Sequence, residues 1–282
     1  MNASDNKETI LTSDLSEYLI SKCGNIINSY SAGLLKLSPY REDKRAASVI
    51  GSGTLVSING IKGILTAHHV SELLQKEDSL ALLLLESEHR MEIECKYLHS
   101  ITIGRGPNEY EGPDFSFIII PEHEIAKIKP YRQFFDLSGY RENMIKNRPD
   151  PHIGIWFIWG IPDEYTEILE SVKGSGKVIS FTGGSMLVGP VREYTHGEYD
   201  YIEANVDYYG LNKPPGSFGG ISGGGLWFIP IKRSGDTHEP ADFILSGVAF
   251  YQSEIINSKR FIKCHGILSL YQHAYKAIAA HI

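Results

Sequence analysis

Cysteine is scarce in this chain: Cys23, Cys95 and Cys264 are the only three in 282 residues. Thiols so few and so far apart do not make the disulfide ladder that staples small secreted domains, and they read as buried thiols rather than bridges. Long hydrophobic runs are missing too. The longest apolar stretches, Leu80 to Leu85 and Ile153 to Trp159, fall far short of the roughly 20 residues a membrane-spanning helix needs, so no membrane partner is expected. Positive charge is in deficit, with 27 Lys and Arg against 34 Asp and Glu and a net charge of −7. That argues against nucleic acid, which calls for a clustered basic surface. Met1 to Asn6 is polar and no apolar segment of signal-peptide type follows, which points to a cytoplasmic protein. The eleven histidines are scattered, H-E-x-x-H and C-x-x-C do not occur, and Cys264-His265 has no further ligand nearby in sequence. No metal or other cofactor is expected on those grounds.

Glycine, by contrast, is concentrated. Gly219-Gly220-Ile221-Ser222-Gly223-Gly224-Gly225 sets one serine among five glycines, just before the apolar run Leu226-Trp227-Phe228-Ile229. Such a stretch is either a flexible linker or a backbone shaped to approach something closely. It lacks the G-K-[ST] ending of a phosphate loop. Two earlier segments favour the close approach. Gly51 to Val56, followed by Gly63-Ile64-Leu65-Thr66-Ala67-His68-His69-Val70, reads as a hairpin that ends in histidine. Asp114 then opens the buried-strand pattern Phe115-Ser116-Phe117-Ile118-Ile119-Ile120. Histidine, aspartate and serine occur in the order of one version of the acyl-transfer triad.

Thr66-Ala67-His68-His69, Asp114-Phe115-Ser116-Phe117 and Gly220-Ile221-Ser222-Gly223-Gly224-Gly225 resemble the three triad motifs of trypsin-like serine peptidases of the chymotrypsin superfamily. The resemblance covers residues 30 to 282. It implies Ser222 as nucleophile, His69 as the base that takes its proton, and Asp114 as the carboxylate that fixes the imidazole tautomer. It also implies an oxyanion hole built from the N–H groups of Gly220 and Ser222. Of the two adjacent histidines, the motif makes His69 the base and leaves His68 packed behind the site.

The departures are as informative. Where trypsin-like enzymes carry an acid before the nucleophile, which pairs with a newly released N-terminus, this chain has Ile221. Zymogen activation of that kind is not expected, and the loop must be ordered in another way. Six residues before Ser222, at the floor of the specificity pocket, stands Gly216, with Ser217 and Phe218 after it. Nothing there would pair with Arg or Lys. Phe250, Tyr251 and Gln252 occupy the substrate-facing end of the strand from Ser246, along which a peptide would pair by strand addition. Gln252, where the family has glycine, would narrow the pocket toward small residues.

Fold expectations follow. The resemblance, together with a strand-rich pattern over 282 residues, predicts an all-β protein of two six-stranded antiparallel barrels with a C-terminal helix. A lead segment spans 1–28, with Leu15, Tyr18, Leu19 and Ile20 in a helical pattern. The first barrel spans 29–122, a Pro- and charge-rich connection 123–150, the second barrel 151–268, and the helix 269–282. Tyr194, Tyr199, Tyr201, Tyr208 and Tyr209 alternate with acids before the nucleophile loop. They read as a strand pair with a solvated face, or as an acidic, aromatic rim to the cleft. The functional expectation is a cytoplasmic, bacterial serine endopeptidase acting on a peptide or protein substrate. The alternatives are a catalytically silent peptide-binding or regulatory module on the same fold, and a peptidase switched on by an activating protein partner, as in stress or antiviral systems.

Overall fold

In the computed structural model, which describes residues 15–37, 47–74, 79–84, 91–108, 110–148, 150–170, 177–189, 191–208, 214–235 and 237–281, the chain forms two eight-stranded sheets. The first contains β1 (Ser31–Leu37), β2 (Ala47–Ile58), β3 (Ile61–Thr66), β4 (Ser79–Leu83), β5 (Met91–Glu94), β6 (His99–Arg105) and β7 (Asp114–Ile119). Their order is β5-β4-β1-β2-β3-β7-β6, all antiparallel, and a two-residue β8 (Phe135–Asp136) adds to β2 in parallel. The second contains β9 (Gly154–Gly160), β12 (Gly184–Val188), β13 (Val191–His196), β14 (Tyr199–Asp207), β15 (Gly225–Ser234), β17 (Ile244–Gln252) and β18 (Lys259–His265). Their order is β12-β9-β15-β17-β18-β14-β13, with β16 (Thr237–Pro240) on β15. A separate hairpin, β10 (Thr166–Glu170) with β11 (Lys177–Phe181), projects between β9 and β12.

Both sheets must curl. Seven strands laid flat would place the outer two about 29 Å apart at the usual spacing of about 4.8 Å. In the first sheet the outer strands β5 and β6 are consecutive, joined only by Cys95 to Leu98, a link that reaches at most about 17 Å. In the second sheet, β12 and β13 are separated only by residues 189 and 190, and the Gly189 N–H donates to Asn205 O on β14 at 2.8 Å. The two ends of each sheet are thus brought round toward each other, an arrangement consistent with a chymotrypsin-like β fold. The expectation of six strands per barrel is exceeded: β5 and β8 enlarge the first sheet. In the second, seven strands lie on the path and β16 adds an eighth.

One hydrophobic core runs through both sheets. Val56, Leu65, Phe115 and Phe117 of the first pack in the same cluster as Trp159, Leu226, Trp227 and Val248 of the second. The lead segment forms α1 (Glu17–Asn28), capped by the Ser16 hydroxyl, which accepts from Leu19 N at 3.2 Å. Leu15, Leu19, Cys23 and Ile27 recur every four residues and are buried in that core, so one face of α1 is apolar. Tyr18, expected on that face, is 77% exposed. The connection contains α3 (Glu122–Ile128) and α4 (Leu137–Lys146). At the C-terminus a π-helical turn, Ser269–Ala274, continues into the short helix Tyr275–Ala279, burying Leu270, Tyr271, Ala274 and Ile278.

No disulfide joins the three cysteines, and Cys23 and Cys264 are buried. Among the described residues no helix is long and apolar enough to cross a membrane. The tyrosine-rich segment is the β13–β14 hairpin. There Tyr201 is buried and, with Tyr194, Tyr110 and Phe250, surrounds the Lys263 ammonium at 4.8 to 5.7 Å from the ring centroids. Tyr209, residues 1–14, Leu85 and Pro149 lie outside the described residues.

Candidate active site

Strand register brings histidine and aspartate together. β3 and β7 are antiparallel with Thr66 opposite Ser116. The chain just after Thr66 and the chain just before Ser116 therefore lie at the same end of the sheet, the first turning into α2 (His68–Leu74). There His69 Nδ1 lies 2.5 Å from Asp114 Oδ2, and the His69 backbone N–H donates to Asp114 Oδ1 at 2.9 Å. The Asp114 side chain is 6% exposed and that of His69 26%: the carboxylate is enclosed while the ring reaches the cleft. Burial pushes the Asp114 pKa up, but the hydrogen bond and charge of His69 outweigh it and hold the carboxyl below its ordinary value. With Nδ1–H donating to the Asp114 carboxylate, His69 Nε2 is left as the ring's basic atom.

Two further histidines pack around this pair. His68 is buried with its Nδ1 2.9 Å from Ser116 Oγ, and burial lowers its pKa. His265, on β18, accepts the Asp114 backbone N–H on its Nε2 at 3.0 Å, so its own proton sits on Nδ1. Fully buried between the rings of Phe115 and Phe250, with centroids at 4.9 and 4.6 Å, it is held neutral with its pKa down at about 3. His265 fixes the backbone at Asp114 across 151 positions of sequence, and no local pattern marks it for that task.

Ser222 lies in the loop entering β15, the second sheet's strand between β9 and β17. Its carbonyl accepts from Ser52 N at 2.7 Å and lies against Gly51, where an added Cβ would meet both Ser222 O and the side chain of Val70, the residue after His69. Ser222 Oγ makes no hydrogen bond among the described residues. The loop's N–H groups follow a pattern. Those of Ser217, Phe218, Gly219, Ile221, Gly223 and Gly224 all donate within the protein, to Glu164, Gln252, the Ser217 hydroxyl, Phe218 O, Ala249 O and Ile221 O. Those of Gly220 and Ser222 have no protein acceptor among the described residues. Backbone donors are almost always paired, and two idle N–H groups beside a serine hydroxyl are the equipment for holding an oxyanion.

The loop is held without an ion pair. Ile221 is buried against Gly160, and Gly219 O accepts from Asp163 N at 2.8 Å. Ser52, wholly buried on β2, clasps it from the first sheet: its hydroxyl donates to Gly220 O at 2.7 Å and accepts from Ile161 N at 3.2 Å. Gly220 and Gly223 adopt φ of +85° and +93°, and at Gly223 a Cβ would run into Ser52 O and Thr66 Oγ1, so only glycine fits there. The Asp163 carboxylate lies against Gly219 and Gly220, and burial raises its pKa. It is a negative charge beside the idle N–H groups.

A pocket of about 330 Å³ opens beside Ser222, lined by Phe218, Phe250, Tyr251 and Gln252. Gly216 and Ser217 lie outside its lining, Gly216 giving its carbonyl to the Arg260 guanidinium at 3.0 Å. Gln252 does not block the space. Its Oε1 accepts from Phe218 N at 2.8 Å and from Arg260 at 2.6 Å, which ties the side chain into the wall. Beyond Ala249, β17 pairs only with β18, and its other edge has no ladder partner among the described residues. Sequence reasoning missed Ser52, His265 and Arg260, all defined by contacts from distant parts of the chain.

No family model matches the chain, and no curated protein matches it. Among solved structures it is similar to a chain from a study of the aromatic interactions that drive coupled folding and binding of the intrinsically disordered Sesbania mosaic virus VPg protein. The two are 14% identical with a TM-score of 0.44, over 87% of this chain and 96% of that one.

Proposed function

We propose that the chain is a serine endopeptidase of trypsin-like type, cytoplasmic and bacterial, using Ser222, His69 and Asp114. The observation that carries this reading is the pair of idle N–H groups at Gly220 and Ser222, in a loop whose Ser222 carbonyl meets Gly51 alongside Val70, the residue after the Asp114-bonded His69. A peptide laid along the open edge of β17 would present its carbonyl to Ser222. Oγ attacks the carbonyl carbon as His69 Nε2 takes the hydroxyl proton, and the carbonyl oxygen becomes an oxyanion held by Gly220 N–H and Ser222 N–H. Asp114 stabilises the resulting imidazolium. When the tetrahedral adduct collapses, the C–N bond breaks and His69 passes its proton to the departing amine. Water, deprotonated by His69, then releases the acyl group and restores the serine. Each donor of such a hole typically contributes about 3–4 kcal/mol to the transition state.

A second reading, a peptidase engaged only when substrate or a partner binds, draws support from the Asp163 carboxylate, which lies against Gly219 and Gly220 where an oxyanion would be held. Fluorophosphonate labelling read by intact mass separates the two. A constitutive enzyme gains one adduct, lost in both Ser222→Ala and His69→Ala. Folded wild type that stays unlabelled alone, yet labels once a peptide or partner is added, supports the second reading. Wild type that never labels leaves the silent binding module.

A further inference from the structure

From the pocket beside Ser222 we infer that the acyl side of the scissile bond is an aspartyl or glutamyl residue, its carboxylate received by Arg260. This deepens the peptidase reading and rests on it for the word scissile. Arg260 lines the pocket together with Phe218 and Ser222 and is only 8% exposed. Buried guanidinium groups are nearly always paired with an acid, yet no carboxylate oxygen among the described residues comes within 4.0 Å of this one. A guanidinium has five N–H donors. Nη1 donates to Gly216 O at 3.0 Å and to Gln252 Oε1 at 2.6 Å. Nε is buried without a partner, and the guanidinium also meets the Tyr208 hydroxyl in a side-chain hydrogen bond. The Nη1 side is therefore anchored to the pocket wall. Nε is the donor that the protein leaves unpaired, and a charge-assisted bond to a carboxylate would satisfy it.

Neighbouring acids do not remove this charge. Glu254, at the mouth of the pocket, is exposed, and Glu164 accepts the Ser217 N–H at 2.9 Å. The whole chain carries a net charge of −7, so its overall field repels an acidic peptide, and a preference for one can only be local. Burial strengthens that local attraction, because a charge shielded from water acts through a lower dielectric. Gln252 assists by holding the guanidinium in place while remaining neutral itself.

The test uses the Ser222→Ala protein, which cannot turn over, and two fluorescein-labelled tetrapeptides, Ala-Ala-Ala-Glu and Ala-Ala-Ala-Gln, which match in shape and differ in charge. Fluorescence anisotropy should show the Glu peptide bound at least about tenfold more tightly, as expected for a desolvated, charge-assisted contact. Adding Arg260→Gln should bring the ratio close to one. Gln252→Glu should do so as well, because it places an internal carboxylate on Arg260 and keeps the arginine in place if the first variant folds poorly. Equal binding of the two peptides overturns the inference, as does a Glu preference that persists in both variants. Fluorophosphonate labelling of the wild type separates this from the broader reading. Labelling without a Glu preference removes the carboxylate pocket and leaves the peptidase, whereas a Glu preference without labelling does the reverse.

Discussion

At the scale of single residues, the candidate site depends on a histidine that does not touch substrate. His265 is buried, neutral and aimed at the Asp114 backbone, with its pKa pushed down to about 3. The unfolded chain takes up a proton on this ring as the pH falls through about 6.5, while the folded chain does not. The unfolded state therefore binds more protons below that pH, and stability falls on acidification between about pH 6.5 and 3, by up to about 1.4 kcal/mol per pH unit. Above pH 6.5 the contribution is complete. His68, lowered by its own burial, adds in the same direction. The Asp114 carboxyl, held below its ordinary value, contributes stability that is complete above the ordinary aspartate pKa of about 3.9 and is lost as the pH falls below it. Denaturant midpoints followed by circular dichroism from pH 7.5 to 4.5 should show this limb. His265→Gln, which keeps an acceptor for the Asp114 N–H but cannot titrate, should flatten it by one proton. Equal slopes in the two proteins would mean the ring is not held neutral.

At the scale of elements, the loop before β15 substitutes packing for an ion pair. Ile221 is 1% exposed, so Ile221→Asp, the residue type that trypsin-like enzymes carry there, would bury a carboxylate with no partner. The expected loss exceeds about 3 kcal/mol, visible as a lower thermal midpoint. A variant as stable as wild type would show that the loop is not packed against Gly160. Ser52→Ala removes the hydroxyl that joins Gly220 O to Ile161 N, at a cost of about 1–3 kcal/mol. Because that hydroxyl orients the peptide flanking an idle N–H, fluorophosphonate labelling of Ser52→Ala should slow even at temperatures where the protein stays fully folded. An unchanged labelling rate would reduce Ser52 to a purely structural clasp.

At the scale of the whole molecule, the two sheets are not independent bodies. Phe115 and Phe117 of the first share one core cluster with Trp159 and Trp227 of the second, and Ser52 hydrogen-bonds across between them. Thermal unfolding should therefore be a single cooperative transition. All three tryptophans, Trp156, Trp159 and Trp227, lie on β9 and β15 of the second sheet, so their fluorescence reports that sheet while far-ultraviolet circular dichroism reports both. The two melting curves should coincide, and a fluorescence midpoint separated from the dichroism midpoint by several degrees would contradict the shared core.

Local chemistry made much of this molecule legible in the sequence. Asp114 opens an apolar run and is the first residue of β7; the glycines around Ser222 announce the positive φ that Gly220 and Gly223 adopt; and the helical spacing after residue 269 becomes the C-terminal helix. These features depend on neighbours within a few positions, which is the range over which backbone preference and hydrophobic periodicity operate. Tyr18 marks a limit even there, because a helical pattern does not say which side of a turn faces the core. What only the tertiary structure decided is long-range: the bond from Asp114 to His265, the clasp of Ser52 on Gly220, and the placing of Arg260 beside Ser222. Each joins chain segments brought together by the curling of the sheets, and the meaning of a buried histidine, serine or arginine depends on which partners that curling supplies or withholds.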